Sequence, residues 1–338
     1  MDVPRATAGL SLTYALELTM YLKFGTQMFS KLEQHFNSVE RVVGYRKERA
    51  EPPHETAPDM DKALVAAAWP SKGAVAFEDV TLAYRPGLEP VLRGVSFSVA
   101  GGQKVGICGR TGSGKSTMFL ALFRLVESQS GRILVDGQDI SQIGLNRLRR
   151  SLGMIPQDAF LYSDTVRANV DPFGEADDAA VWRALEAVEL KAVVSALSGG
   201  LDARVDEGGS NFSMGQRQLF CMARALLRGA PLLCMDEATA SVDMETDDLI
   251  QRTVRTQFAH CTVLTIAHRL NTVMDSDKVI MMSGGKVEEA AAPAVLLERS
   301  DSSFKSLVMA TGAKSFARLK KIASSASSDN LVGAAPSG

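Results

Sequence analysis

The residues whose types and spacing carry the clearest chemistry form a glycine-rich run, GRTGSGKST, at positions 109–117. The run follows the apolar stretch KVGIC and opens the helical pattern MFLALFRL, so it fits G-x-x-x-x-G-K-[ST] in a strand–loop–helix setting. Glycines let several backbone N–H groups point at one phosphate, and the helix N-terminus adds a positive end. A chance glycine-rich turn is the alternative, and average residue frequencies give it about once in a hundred such chains. The run therefore predicts a phosphate-binding loop, here called the phosphate loop.

Two side chains of this loop have separate expected roles. Lys115 is expected to reach the β- and γ-phosphates of a nucleotide, and the Ser116 hydroxyl is expected to ligate Mg²⁺. The other candidate nucleotide-binding residues of the run are Gly109, Thr111, Gly112, Ser113, Gly114 and Thr117.

Two adjacent carboxylates, Asp236 and Glu237, end a second apolar stretch, LLCMDE. In open parallel sheets, ligands bind at the edge where the strands end. Asp236 is therefore expected to support Mg²⁺ through its water shell. Glu237 points the other way and is expected to act as general base on the attacking water. Such a pair alone is more often a helix cap or a turn, but its place downstream of a phosphate loop favours the catalytic interpretation.

A third segment, NFSMGQRQ at residues 211–218, precedes the helical run LFCMARALL. It is called the signature segment below. Ser213 and Gly215 at an exposed helix N-terminus would form an anion site. An ordinary serine N-cap is the alternative interpretation.

Together with the phosphate loop, the signature segment resembles the ATP-binding cassette (ABC) superfamily, whose signature is usually written LSGGQ. Ser213, Gly215 and Gln216 match that signature. Phe212 and Met214 replace its leucine and first glycine, so a bulky side chain stands where the family often has none. The resemblance implies that this helix start binds the γ-phosphate of a nucleotide held by an opposing cassette.

Four further matches occur in the family's order. Tyr84, in LAYRPG, matches the aromatic residue that stacks on adenine. Gln157 matches the glutamine that links the metal and γ-phosphate side to the transmembrane domains, and it is taken as both a catalytic residue and a metal ligand. Residues 241–243 match the loop that crosses the dimer interface, and His268 matches the switch histidine. Alone, a tyrosine is more often a packing residue and a histidine more often structural.

The resemblance is closer still to the second cassette of the multidrug-resistance-associated exporters, the C subfamily, and runs from about residue 8 to about residue 312. AGLSLTYALELT looks like their last transmembrane helix and NSVERVVGY like the helix descending from it. Residues 8–22 are interrupted by Glu17 and fall short of the roughly twenty apolar residues of a membrane span. Composition thus leaves a partial span and an amphipathic soluble helix equally open, and the resemblance favours the exporter helix.

The elements that must position these residues change character along the chain. A long helical pattern runs over 8–49, and the resemblance implies that residues 1–50 are the remnant of the last transmembrane and intracellular helix. A proline-containing linker over 51–72 follows. Residues 73–312 begin with alternating strands and continue with alternating helices and apolar strands. We therefore predict an α/β fold with a parallel sheet. The resemblance makes it a P-loop NTPase of ABC type, with an antiparallel β subdomain and a helical signature subdomain. Residues 313–338 are expected to be a disordered tail, because small and polar residues dominate its end.

Composition narrows the partners. The 338 residues carry a net charge of −2, so no overall basic field predicts nucleic acid as a partner. The four cysteines, all in apolar runs and without zinc-like spacing, are expected to be reduced core residues.

The resemblance implies that ATP and Mg²⁺ are bound between this cassette and a second one in a head-to-tail pair. Hydrolysis would power transmembrane export of organic or conjugated substrates that bind elsewhere, in transmembrane domains. The cassette would lie on the cytoplasmic face of a membrane. Two alternatives remain: a soluble cassette acting as a regulatory or scaffold module, and a nucleic-acid-handling ATPase, for which no obvious basic patch is found.

Overall fold

The computed structural model describes residues 4–47, 50–236, 244–267 and 269–332. The chain divides into two compact units, Met1–Pro52 and Pro53–Gly338. The first unit is one helix, α1 (Arg5–Lys47), which contains no proline. Within the part of the chain that the structure describes, no helix has both the length and the apolar character needed to cross a membrane.

The second unit contains all the described strands and the remaining described helices. The strands are β1 (Val75–Leu82), β2 (Leu92–Val99), β3 (Lys104–Gly109), β4 (Ser130–Val135), β5 (Gln138–Asp139), β6 (Leu152–Ile155), β7 (Leu232–Asp236), β8 (Thr262–Ile266), β9 (Lys278–Ser283) and β10 (Lys286–Ala291). The helices are α2 (Pro58–Ala66), α3 (Lys115–Leu122), α4 (Leu145–Ser151), α5 (Val166–Val170), α6 (Asp178–Ala187), α7 (Lys191–Ser195), α8 (Met214–Arg228), α9 (Met244–Gln257), α10 (Pro293–Glu298), α11 (Ser303–Met309) and α12 (Ala313–Val332).

Two sheets form the frame of this unit. The smaller is antiparallel, in the order β2-β1-β4-β5, and its strands alternate buried and exposed residues because one face packs on the core. Phe77 and Phe97 stack across β1 and β2 with ring centroids 4.6 Å apart. The larger sheet has the order β10-β9-β3-β8-β7-β6 and is parallel except for β10. These sheets confirm the predicted parallel core and antiparallel β subdomain.

The parallel register brings several strand ends to one edge. Ile266 of β8 pairs with Ile107 of β3 on one side and with Asp236 of β7 on the other. Parallel neighbours end at the same edge, so the chain segments that follow β3, β7 and β8 all begin there. This edge carries most of the residues that the sequence singles out.

A second hydrophobic cluster, distinct from the one that the two sheets share, packs the helical part against residues of β6, β7 and β8. It is centred on α8, whose buried face includes Phe220 and Met222 and which contacts α5, α6 and β6. This part is the helical signature subdomain expected from the resemblance.

The expectation of a disordered tail over 313–338 is wrong for Ala313–Val332, which form α12. Leu319 and Ala323 are buried, and Phe316 and Ile322 pack against the same cluster, which includes residues of α10 and α11. Helical spacing puts these four apolar side chains on one face, and burial of that face stabilises the helix. The prediction of disorder rested on the small and polar composition of the segment, whereas the helical spacing of its apolar residues allows it to pack as a helix. Residues 333–338 lie outside the described part of the chain.

The segment predicted as a linker is also structured from Pro53 onward and belongs to the second unit. It contains α2, and the indole of buried Trp69 donates a hydrogen bond of 2.8 Å to the Val135 carbonyl. Backbone N–H groups of residues 71–74 converge on the Asp136 carboxylate at 2.7 to 3.2 Å. These contacts fasten the connection to the antiparallel sheet.

The cysteines are free thiols, as the sequence predicts, and three of the four are buried. Burial raises the pKa of Cys108 to about 12 and also raises the pKa of Cys221 and Cys234. These thiols are therefore protonated and unreactive at neutral pH.

Candidate functional site

The phosphate loop connects the end of β3 to the start of α3, in the centre of the larger sheet. Gly114 caps α3 with a left-handed φ of 100°. A Cβ on Gly109 would lie 2.3 Å from the Met282 carbonyl oxygen, and one on Gly114 would lie 2.9 Å from Leu92. Glycine is required at both positions, because a Cβ on Gly109 would collide with the backbone of β9 and side-chain-bearing residues rarely adopt the left-handed φ of Gly114.

Lys115 is folded over this loop. Its side chain is buried, and Nζ donates hydrogen bonds to the carbonyl oxygens of Gly109 (2.9 Å) and Arg110 (3.1 Å). Both partners are neutral carbonyl groups, so neither of these two bonds gives Lys115 an anionic partner. A phosphate bound in the loop would give this cation an anionic partner in place of two carbonyl groups.

The hydroxyl groups of the loop are differently placed. Ser116, in the first turn of α3, is exposed. Ser113 is buried, and its hydroxyl has no hydrogen-bond partner among the described residues. A buried polar group without a partner is costly, and a bound ligand or water commonly satisfies it. The loop therefore offers an exposed hydroxyl at the helix start and an unsatisfied one inside the turn.

Tyr84 is brought to this helix from the segment after β1. Its hydroxyl lies 2.8 Å from the Thr117 hydroxyl in α3, and 48% of the residue is exposed. The ring is thus held at the loop by its polar end, with much of its surface accessible. An aromatic ring in that position can stack on a planar ligand.

Asp236 ends β7 and is level with Ile107 of β3, two strands away. Neighbouring strands are spaced about 4.8 Å apart, so the two backbone positions lie roughly 10 Å from each other across the sheet. Glu237 follows directly but lies outside the described residues, as do residues 241–243 and His268. The structure therefore shows the strands that lead to these positions, β7 and β8, and describes none of the three.

Gln157 follows β6, the strand paired with β7, and is exposed. The residue before it, Pro156, accepts a hydrogen bond of 3.1 Å at its carbonyl oxygen from Gln218 Nε2. Gln218 is buried in α8. This bond fixes the start of the Gln157 loop to the helix that carries the signature segment, a link that sequence reasoning missed.

Ser213 is the N-cap of α8 and is exposed. Its hydroxyl accepts a hydrogen bond from Gln216 N–H, and the Gln216 side chain accepts one from Ser213 N–H, which completes a capping box. The N-cap interpretation therefore describes the geometry. Ser213 belongs to the helical part, whose core is separate from the one beneath the phosphate loop.

The departures from the usual signature have structural places. Phe212 is buried and meets Phe220 edge-on with ring centroids 4.9 Å apart, so it is a core residue of the helical part. Met214 is partly buried at the first position of α8. A Cβ on Gly215 would lie 2.7 Å from Cγ2 of Thr246, so this glycine permits α9 to approach α8.

The structure also shows an exposed aromatic surface that the sequence analysis did not single out. Two of its residues, Phe160 and Tyr162, follow Gln157 closely in the chain. This surface is called the aromatic–arginine patch and consists of Phe160, Tyr162 and Phe173 with Arg150, Arg224 and Arg228. The Arg150 and Arg228 guanidinium groups lie 4.7 and 5.6 Å from the Phe173 ring centroid. Burial first, and then the like charge of Arg150, lower the pKa of Arg228, with Glu175 opposing the shift. Large exposed aromatics beside arginines are typical of surfaces that bind another polypeptide.

Comparison with known proteins identifies a family and several relatives for this chain. Residues 92–240 match the family model described as ABC transporter. The chain is 47% identical over 326 residues to ABC transporter C family member 3 of Dictyostelium discoideum, covering 95% of this chain and 22% of that protein. It is 50% and 49% identical over 289 residues to ATP-binding cassette sub-family C member 3 of Mus musculus and Homo sapiens. Each of these two alignments covers 86% of this chain and 19% of the relative.

A solved structure described as a bacterial Atm1-family ABC exporter with ATP bound has a similar fold. It superposes with a TM-score of 0.68 and 33% identity, over 75% of this chain and 47% of that chain. The chain thus spans about a fifth of the length of the curated relatives that it matches.

Proposed function

Because this chain belongs to the ABC transporter family, we propose that it binds MgATP, hydrolyses it and thereby powers transmembrane export as part of a larger assembly. The phosphate loop carries the proposal: a glycine-lined turn at the end of a central strand, with the Lys115 ammonium folded over it. That arrangement binds polyphosphate through backbone N–H groups, a helix N-terminus and one cation.

The residues present fit a magnesium ion. Ser116 offers an exposed hydroxyl at the helix start, and Asp236 offers a carboxylate at the same sheet edge. Gln157, exposed after β6, supplies an amide oxygen as the third candidate ligand. Oxygen donors of this kind are the ones that Mg²⁺ prefers. When bound, the ion would neutralise part of the charge on the phosphates.

The catalytic assignments rest on chain position. Glu237 comes immediately after the last residue of β7, at the edge where β3 also ends, so its carboxylate is assigned as the base that accepts a proton from the attacking water. His268, separated from the end of β8 by Ala267 alone, is assigned as the γ-phosphate contact. Tyr84 is assigned to adenine, because its ring is accessible while its hydroxyl is tied to α3.

Two exposed surfaces of the cassette are assigned to binding partners. The exposed N-cap of α8, with Ser213, Gly215 and Gln216, is assigned to a nucleotide held by a second cassette, in a head-to-tail pair. The aromatic–arginine patch is assigned to the transmembrane domains, because its aromatic rings are exposed in the cassette by itself. The relatives are much longer than this chain, which is consistent with those domains lying outside it. The cassette is placed on the cytoplasmic face of a membrane, and the exported organic or conjugated molecule binds elsewhere.

Two substitutions test the nucleotide site. Lys115→Ala should weaken MgATP affinity at least about tenfold, because it removes the cation that is folded over the loop; a fluorescent ATP analogue measures this. Glu237→Gln should leave that affinity nearly unchanged and reduce phosphate release by about a hundredfold or more, because only the water-side base is lost. Lys191→Ala, at an exposed lysine paired with Glu186, is the control and should change neither quantity. Normal affinity in Lys115→Ala, or normal turnover in Glu237→Gln, would refute the corresponding assignment.

A further inference from the structure

The ion pair between Arg269 and Asp247 joins two parts of the candidate site. Arg269 Nη1 donates to Asp247 Oδ2 at 2.6 Å, and the Asp247 side chain is only 16% exposed. The other oxygen of this carboxylate, Oδ1, is buried and makes no hydrogen bond within the described residues. Among the described residues, Arg269 is therefore the cation that compensates the Asp247 charge.

The two residues of this ion pair lie next to two segments that the sequence analysis singled out. Arg269 directly follows His268, and Asp247 lies in the first turn of α9, which begins directly after residues 241–243. The segments that lead to both positions leave neighbouring parallel strands, β7 and β8, at the same edge. One charged hydrogen bond thus links the segment of the switch histidine to the helix that follows the interface loop.

The same turn of α9 also contacts the signature segment. Thr246, the neighbour of Asp247, stands so close to Gly215 that a Cβ there would lie 2.7 Å from its Cγ2. The first turn of α9 therefore touches the start of α8 through one residue and binds Arg269 through the next. Packed elements transmit displacement because close-packed side chains leave no room to absorb it.

We propose that Asp247 and Arg269 are positioning residues that keep the His268 segment in register with the signature segment of the same cassette. The inference rests on the proposed function. In a head-to-tail pair, His268 serves the nucleotide held by its own cassette, whereas the exposed Ser213 of the signature segment serves the nucleotide held by the partner. The pair and the Thr246–Gly215 contact then couple the two nucleotide sites of the assembly through this cassette, and such coupling is reciprocal.

The test uses the full chain assembled with its partner cassette, and the variants Asp247→Asn, Arg269→Gln, Arg269→Lys and the double variant Asp247→Asn/Arg269→Gln. Each neutral single variant should lower kcat for MgATP on the order of tenfold while KM changes less than about twofold, since positioning rather than ground-state binding is lost. Arg269→Lys should keep about half of kcat or more, because the charge remains. The double variant should be no slower than the worse single variant, because both changes break one bond.

The same helix supplies a matched control. Arg255 of α9 forms an ion pair with Asp275 at 2.7 Å, in which the arginine is more exposed than Arg269 and the aspartate more exposed than Asp247. No described hydrogen bond joins this pair to Arg269 or Gly215. Arg255→Gln should leave kcat unchanged. Unchanged kcat in Asp247→Asn and Arg269→Gln, an equal loss in Arg255→Gln, or multiplied losses in the double variant would each overturn the inference. If the unmodified chain bound no MgATP, the proposed function itself would have failed, which is a separate outcome.

Discussion

Gln218 of α8 donates a hydrogen bond from Nε2 to the carbonyl oxygen of Pro156, the residue immediately before Gln157. Gln218 is 1% exposed, so this bond is made in the interior, between the helix that begins at the signature segment and the loop that begins after β6. The position of Gln157 is thereby tied to the helical part as well as to the sheet.

Removing this bond should loosen the Gln157 loop. Gln218→Met keeps the volume and leaves a carbonyl oxygen unsatisfied, so stability should fall by about 1–2 kcal/mol. We expect kcat to fall more than MgATP affinity, because Gln157 is one of three candidate metal ligands whereas the phosphate loop is untouched. Urea unfolding and steady-state ATPase measurements check this, and Gln142→Met, at an exposed position, is the control. A proportional loss of affinity would contradict the assignment.

Tyr84 can contribute to ATP binding in two ways: its hydroxyl is hydrogen-bonded to Thr117, and its ring is exposed. Tyr84→Phe keeps the ring, so ATP affinity should stay within about twofold, whereas Tyr84→Ala should weaken it by about five- to tenfold, the equivalent of roughly 1–1.4 kcal/mol. Inorganic tripolyphosphate, which has no base, should bind Tyr84→Ala as well as the unmodified chain. Equal weakening for both ligands would show that the tyrosine supports the loop instead of the base.

Shortening the chain tests α12. Ending it after Gly312 removes buried Leu319 and Ala323, together with the partly buried Phe316 and Ile322, from their cluster. A fully buried apolar side chain contributes about 1.5–3 kcal/mol, so the free energy of unfolding should fall by several kcal/mol. Ending the chain after Ser324 keeps all four side chains and should change it little. Similar unfolding midpoints for the two truncated chains would contradict packing of this helix.

The Asp136 carboxylate makes stability depend on pH. Partial burial alone would raise its pKa, but the four backbone N–H donors of residues 71–74 outweigh burial and lower the pKa below its ordinary value. The charged form is thus favoured in the folded chain, and this stabilisation is complete above the unfolded pKa of about 3.9 and lost as pH falls below it. Asp136→Asn should be less stable than the unmodified chain at pH 7, and the difference should shrink towards pH 3. Urea unfolding across that range measures it, and a constant difference would exclude the carboxylate charge as its cause.

Local pattern was enough to predict the phosphate loop. The loop's glycines, Lys115 and Ser116 are adjacent in the chain, and the strand before them and the helix after them are read from the same short stretch. The parallel sheet and the antiparallel subdomain followed from apolar alternation in the same way. For Ser213 the sequence offers a serine N-cap as the alternative, and the structure adds the reciprocal bond from Gln216 that makes it a capping box.

Contacts between distant segments were not predictable in this way. The predicted disorder of the tail is wrong for α12, because whether Leu319 and Ala323 stabilise a helix depends on a surface formed by α10 and α11. The segment from Pro53 belongs to the second unit, and one contact that holds it there is the hydrogen bond from the Trp69 indole to the carbonyl of Val135, sixty-six residues later.

By itself, then, the sequence determined which groups are available for phosphate chemistry and which elements carry them, since bond lengths and helical or strand periodicity act over a few residues. Tertiary structure alone decided that Gln218 reaches Pro156, that Asp247 meets Arg269, and that Gly215 accommodates Thr246. Those pairings arise when separate elements pack together, and a linear pattern contains no distance between residues that are far apart along the chain.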